Sequence, residues 1–142
     1  MAEIIYQHPS GQAANRSANS AIRWLNADDF EIFEAHLLAC GQRPISQALW
    51  DQIQSSDTIY CGYFVGNDMV ARACVEKYSD DHWEVADVRT VKSRRNRGLA
   101  FAVCDFVLQY IQLHNKIATI RTEEDNLAMQ KVISRLGFTP IH

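Results

Sequence analysis

The sequence predicts a mixed α/β fold of the α+β type, in which an antiparallel meander leads into a parallel strand–helix–strand crossover on one mixed sheet. Three features predict it. Aromatic and β-branched runs at 58–65, 69–78 and 83–91 are separated by the turn signals Gly66-Asn67-Asp68 and Ser79-Asp80-Asp81. A helix-period stripe of Leu99, Val103, Phe106, Val107, Tyr110 and Ile111 follows the third run. A strand-like run at 117–122 comes next, and the right-handed rule for such crossovers sets it parallel to 83–91.

The elements before the meander are shorter. Residues 7–20 are rich in Ser, Asn, Gln, Ala and Gly, so residues 1–20 are expected to form a flexible N-terminal arm. Residues 21–25 suit a short strand. Asn26 or Asp28 suits a helix N-cap, because a short polar side chain accepts from a free first-turn N–H. Phe30, Phe33, Leu37 and Leu38 recur at helical spacing up to Gly41. Pro44 opens a second helix, with Ile45, Leu49, Trp50 and Ile53 on one side. After the crossover, 126–136 reads as a last helix with Met129, Val132, Ile133 and Leu136 on one face, ended by Gly137. Residues 138–142 add a last short strand.

The 142 residues suit a single domain, 1–142, without linker, repeat or low-complexity tract. A chain of this size buries roughly two-thirds of its unfolded surface, so its core needs neither disulfide nor metal. Cys40, Cys61, Cys74 and Cys104 form no C-x-x-C pair and sit in apolar segments, which reads as reduced core cysteine with no metal site. The net charge of -3 argues against a general nucleic-acid binder. No apolar run approaches the ~20 residues that span a bilayer, and residues 1–6 lack a secretion signal. A cytoplasmic protein without a membrane partner is expected.

The stretch from Val85 to Ala102 carries chemistry. A strand ends, Lys92, Arg94, Arg95 and Arg97 follow, and Gly98 opens a helix. The first N–H groups of a helix lack internal partners, and its dipole favours anions there. A glycine at that point lets a ligand approach the backbone. These are the parts of a phosphate site. The same residues also suit a solvated basic turn or a local nucleic-acid patch. The acidic total and the absence of interleaved exposed aromatics argue against the patch.

Arg95-Asn96-Arg97-Gly98-Leu99-Ala100 resembles the cofactor motif Arg/Gln-x-x-Gly-x-Gly/Ala of the GNAT N-acetyltransferases. Asn126-Leu127-Ala128-Met129, followed by Leu136-Gly137-Phe138, is similar to the family's second motif in the form seen in some bacterial protein acetyltransferase domains. The resemblance covers roughly residues 57–138, and two motifs in the right order on the right elements are more specific than either alone. It implies the GNAT acyl-CoA N-acyltransferase fold. It implies an acetyl-CoA-dependent acyltransferase, moving an acetyl group directly to a primary amine of a small molecule or protein within a ternary complex. A bulged strand would splay from the next parallel strand and admit the pantetheine arm. Val88, Arg89 and Thr90 would pair with that arm through their backbone. Arg95, Asn96, Arg97, Gly98, Leu99, Ala100 and Phe101 would wrap the pyrophosphate. Asn126 would offer its amide to the cofactor arm, and can also cap its own helix.

Glu84 and Asp87 are the candidate proton acceptors for the amine, on the strand that borders the slot; each also suits an ordinary surface ion pair. Asp87 and Arg89 alternate onto one strand face and are expected to neutralise one another. Glu123, Glu124 and Asp125 suit either the substrate side or the start of a helix, whose dipole they complement. Trp24, Trp50, Tyr60 and Trp83 suit an acceptor pocket or the core. The chain departs from the family twice. Ile133 stands where many members carry a tyrosine that protonates the departing thiolate. The family also continues past Leu-Gly-Phe with another strand, whereas this sequence stops at His142. A missing strand leaves an open edge, which predicts a homodimer. These departures keep a second reading open: a non-catalytic acyl-CoA-binding or regulatory module on the same fold.

Overall fold

Runs of β-branched, aromatic and small residues gather into one seven-stranded sheet in the computed structural model, which describes residues 2–9 and 19–141. The strands are β1 (Glu3–Gln7), β2 (Ile22–Trp24), β3 (Thr58–Val65), β4 (Asp68–Glu76), β5 (His82–Thr90), β6 (Ile117–Glu123) and β7 (Thr139–Pro140), in the spatial order β2-β3-β4-β5-β6-β1-β7. The helices are α1 (Phe30–Ala39), α2 (Gln47–Gln54), α3 (Leu99–Leu113) and α4 (Leu127–Arg135). As the sequence predicts, β2 to β5 form an antiparallel meander, and α3 carries the chain to β6, parallel to β5.

Both faces of the central strands are covered, which explains why β4 is buried at every position from Met69 to Val75. Ala71, Ala73 and Val75 alternate onto one face with Cys61, Trp83, Val85, Ala118 and Ile120. There they meet Val103, Cys104, Val107, Leu108 and Ile111 of α3 and Ile133 of α4. The other face packs Tyr60, Met69 and Cys74 against Phe33, Leu37 and Trp50 of α1 and α2. Trp50 is fully buried, and its indole N–H donates to the Ala27 carbonyl. Leu38 and Leu49, expected on the buried stripes, are exposed. Each lies about 100° around the helix from a better-placed neighbour, Leu37 or Trp50, which takes the buried face. Cys61, Cys74 and Cys104 are buried free thiols, while Cys40, at the end of α1, is half-buried.

Caps mark the helix starts. Asn26 accepts from the Asp28 N–H at 2.9 Å, and the Asp29 carboxylate accepts from the Asn26 N–H at 2.8 Å, a reciprocal capping box. The second helix begins at Gln47 rather than at Pro44, because the Ser46 hydroxyl accepts from the Leu49 N–H and so fixes the first turn.

The largest departure from expectation lies at the N-terminus. Glu3–Gln7 is not part of an arm but a strand, inserted between β6 and β7. It pairs antiparallel with β6 from Glu3↔Glu123 to Gln7↔Thr119, and with β7 through Tyr6↔Pro140 and Gln7↔Thr139. Tyr6 is buried and Ile4 packs against the α3-side core, so alternation drives the insertion. The His8 ring adds a bond to the Leu136 carbonyl, with Nε2 at 3.0 Å. Residues 3–7 thus supply the strand that the sequence lacks beyond Leu136-Gly137-Phe138, and among the described residues the two-residue β7 forms that edge of the sheet. The rest of the expected arm, 10–18, lies outside the described residues.

A pH response follows from α1. His36 is buried between α1 and β4, with Nδ1 3.0 Å from the Met69 carbonyl oxygen and Nε2 3.6 Å from Cys40 Sγ. A carbonyl only accepts, so Nδ1 carries the proton and Nε2 accepts from the thiol. Burial lowers the imidazole pKa to about 4. The unfolded imidazole takes a proton near pH 6.5. Between those values the unfolded state binds more protons, so stability is lost as pH falls through that window. The urea midpoint should decline from pH 6.5 to about 4, and that decline should flatten in His36→Gln. Parallel profiles for the two proteins would place the acid sensitivity elsewhere.

Candidate functional site

The two parallel strands at the centre of the sheet come apart. β5 pairs with β6 at His82↔Ile117, Trp83↔Ala118, Glu84↔Thr119 and Val85↔Ile120, and no further. Yet β5 runs on to Thr90 and β6 to Glu123. From Ala86 onward, the β5 edge that faces β6 has no strand against it, whereas its other edge stays paired with β4 through Arg72↔Arg89 and Ala71↔Thr90.

A β-bulge causes the fork. The β4–β5 register shifts between Arg72 and Cys74, and Asp87 takes the extra position at φ 50°. A bulge bends its strand and adds twist. A left-handed aspartate is strained, so neighbours must hold it. Tyr60 O–H donates to Asp87 Oδ2 at 2.6 Å, and Arg72 donates to both carboxylate oxygens, at 3.0 Å from Nη2 and 3.3 Å from Nε. Arg72 is almost wholly buried and also donates to Gln42 Oε1 at 2.8 Å. Burial alone would raise the Asp87 pKa, but the bonds and charge of Arg72 outweigh it and hold the carboxyl below its ordinary range. The ion pair of Asp87 is with Arg72 rather than the expected Arg89, which shares the face as the cross-strand partner of Arg72 and adds only a smaller lowering through its charge.

Beyond the fork the chain turns through Lys92–Arg94, a single turn of tight helix, and enters α3. Asn96 and Gly98 are left-handed, at φ 63° and 78°. Gly98 is the N-cap residue of α3 and, having no side chain, leaves the first-turn amides uncapped. A Cβ built on Gly98 would meet no atom of the described residues within 4 Å, so among them the approach to those amides is open. Arg94 is half-exposed, and Lys92, Arg95 and Arg97 are exposed. Arg135 of α4 adds a cation that local sequence reading did not single out, its guanidinium 4.5 Å from the centre of the Phe101 ring.

The structure thus brings Val88, Arg89 and Thr90, on the unpaired reach of β5, next to the loop and first turn formed by Arg95, Asn96, Arg97, Gly98, Leu99, Ala100 and Phe101. Asn126 begins α4 just past the end of β6, and its side chain accepts from the Met129 N–H at 3.1 Å, the capping role. Glu84 lies at the foot of the fork, buried, and Arg121 binds it with Nε and Nη2. Trp50, Tyr60 and Trp83 belong to the core. Trp24 is half-buried, tilted against the Phe106 ring and edge-on to the Tyr110 ring. Ile133 is fully buried in the α3-side core. Two surface hollows of about 520 and 510 Å³ lie elsewhere, one along α3 and β2, the other between α1 and the Ser93–Arg94 turn; no β5 or β6 residue lines either.

Residues 19–138 match the family described as acetyltransferase (GNAT) family. The chain belongs to the GNAT family. Solved structures share the fold of this GNAT chain at low identity. A GNAT-family protein from Novosphingobium aromaticivorans superposes with a TM-score of 0.79 at 18% identity, over 99% of this chain and 60% of its own. The ribosomal-protein-S18-alanine N-acetyltransferase from Escherichia coli gives 0.70 at 15% identity, over 85% of this chain and 78% of its own. AAC(6')-Iy, in complex with the bisubstrate analog CoA-S-monomethyl-acetylneamine, gives 0.70 at 18%, over 83% and 89%. The GNAT chain therefore spans only 60% of the length of the first of these relatives. No curated protein matches it by sequence.

Proposed function

We propose that this GNAT chain transfers an acetyl group from acetyl-CoA to a primary amine, on a small molecule or a protein, directly within a ternary complex. The observation that carries the reading is the fork beyond Val85 and Ile120, which opens beside the uncapped, arginine-flanked start of α3. The unpaired edge from Val88 to Thr90 can take an extended pantetheine arm as a strand takes a partner. The amides at the start of α3, with Arg95 and Arg97, can hold the pyrophosphate. The space a Cβ at Gly98 would fill is the fit expected of such a cradle. Asn126 keeps its amide N–H₂ for the cofactor arm while its oxygen caps α4.

Acetyl-CoA supplies a thioester whose thiol, with a pKa of about 8.5, leaves readily. The chain's contribution is mainly position, with β5 amides polarising the carbonyl as charge develops on its oxygen. Glu84 and Asp87 border the fork on the face shared with α1 and α2, from which an amine would approach. The named relatives support an amine acceptor: one is an alanine N-acetyltransferase and another holds a CoA–acetylneamine analog. A cytoplasmic setting fits this reading, and among the described residues no helix is long and apolar enough to cross a membrane.

The burial of Ile133, where a thiolate-protonating tyrosine would stand, favours one rival: a module on this fold that binds acyl-CoA without turnover. Calorimetry with acetyl-CoA and release of free CoA over an amine panel separate the two. The transfer reading expects saturable binding and amine-dependent release. Binding without release on any amine supports the module, and no binding removes both. Acetyl-CoA at a hundredfold excess over its Kd should stabilise the fold by about 2.7 kcal/mol.

A further inference from the structure

We propose that Glu76, at the end of β4, is the carboxylate that takes the proton from the incoming amine, an inference that rests on the acetyl-transfer reading. Three carboxylates lie together on the sheet face shared with α1 and α2: Glu76, Glu84 and Asp87. Two of them are spoken for. Asp87 is bound by Arg72 and Tyr60 and holds the bulge in shape. Glu84 is bound by Arg121 through three hydrogen bonds. A carboxylate clasped by a guanidinium is stabilised in its charged form and is a poor base.

Glu76 differs in each respect. It is the cross-strand partner of Glu84 in the β4–β5 ladder, and Glu84 sits one residue before the last paired position of the fork. Cross-strand partners have Cβ atoms about 5 Å apart. Among the described residues no hydrogen bond or ion pair engages the Glu76 carboxylate, and its side chain is exposed to an arriving acceptor. Its surroundings raise its affinity for a proton. Partial burial acts first, then the charges of Glu84 and Asp87, against a smaller lowering by Arg121, which Glu84 already occupies. On its own strand the Cys74 thiol senses the Glu76 charge, and Lys77 turns away over the Trp83 and Tyr110 rings. From β3, uncharged Thr58 stands opposite Glu76, with Asp57 just before it and Tyr60 two residues on. Tyr78 is tied to Thr119 on β6.

The step balances simply. Glu76 takes one proton from the ammonium form of the acceptor and frees its lone pair. That pair forms the nitrogen–carbon bond at the thioester carbonyl, the carbon–sulfur bond breaks, and its electrons leave on sulfur. The second nitrogen proton goes to the thiolate, and Glu76 returns its proton to solvent.

The test compares pH–rate profiles of the wild type, Glu76→Gln and Glu76→Asp with an amine the wild type acetylates, alongside calorimetry with acetyl-CoA. We expect Glu76→Gln to lose about a hundredfold or more in kcat/KM for the amine near neutral pH. Its acid limb should disappear, its acetyl-CoA affinity should hold, and Glu76→Asp should recover part of the rate. Carbon-13 NMR should show Glu76 titrating above the ordinary glutamate range, and lower in Glu84→Gln. A wild-type rate and profile in Glu76→Gln overturn the assignment while leaving acetyl transfer standing. A wild type that neither binds acetyl-CoA nor turns over removes the transfer reading and this assignment with it.

Discussion

Deleting residues 1–8 should unfold the protein or leave it without a cooperative transition, although a short N-terminal extension is usually dispensable. β1 lies inside the sheet, between β6 and β7, and among the described residues β7 has no other strand partner. The deletion removes a ladder of five residue pairs with β6 and exposes the edge of a strand that borders the fork. It takes Tyr6 out of the core, where truncating a large aromatic costs about 3–5 kcal/mol. It also removes the His8 bond that satisfies the Leu136 carbonyl as α4 ends. Set against a total stability of about 5–15 kcal/mol, these losses leave little. Urea unfolding followed by tryptophan fluorescence gives the answer, with Tyr6→Ala as a milder variant that should lower the midpoint while keeping a transition. An unchanged midpoint in both would return residues 1–8 to the status of an arm.

Why β1 escapes a reading of the sequence is a matter of range. Glu3-Ile4-Ile5-Tyr6-Gln7 is too short to establish a period, and its partners lie at the opposite end of the chain. Local pattern cannot report a pairing whose reward is wholly tertiary. The meander and crossover were legible because hairpin turns and a single helix join neighbours in space, so short-range signals sufficed. The phosphate-site candidates were legible for the same reason. Strand end, arginines and helix start are consecutive, and Gly98 marks the place where the backbone turns left-handed.

The acidic face was harder. Its layout depends on register, and one extra residue moves every later side chain to the other face. Nothing around Asp87 in the sequence announces a bulge, since aspartate is not glycine. Simple alternation set it beside Arg89, whose charge it does feel, but could not show that the bulge turns it onto Arg72. The buried Arg72, on a strand otherwise lined with apolar residues, was the available hint that a carboxylate must meet it. The pairing of Glu76 with Glu84 across β4 and β5 likewise becomes visible only once the register is known.

Replacing Gly98 with phenylalanine should cost at least about a hundredfold in acetyl-CoA affinity while leaving the fold in place. The two effects separate because a Cβ on Gly98 meets no atom of the described residues within 4 Å. Within the protein a side chain there costs only the left-handed backbone, φ 78°, roughly 1–2 kcal/mol for a residue with a Cβ. Toward a ligand it costs far more. A benzyl group would stand over the first-turn amides of α3, and each charge-assisted bond it blocks is worth about 1.5–3 kcal/mol. Two lost bonds give about 3–6 kcal/mol, which is two to four powers of ten in Kd. Gly98→Ala divides the terms: its methyl carries the backbone strain but reaches much less far, so it should keep more affinity than phenylalanine at a similar loss of stability. Calorimetry and urea unfolding on the three proteins read both quantities. Wild-type affinity in Gly98→Phe would mean that the phosphates settle away from the α3 amides. The fork would then lack the neighbour on which the proposed acyl-CoA site depends, and Arg95 and Arg97 would revert to a solvated turn joining a strand to a helix.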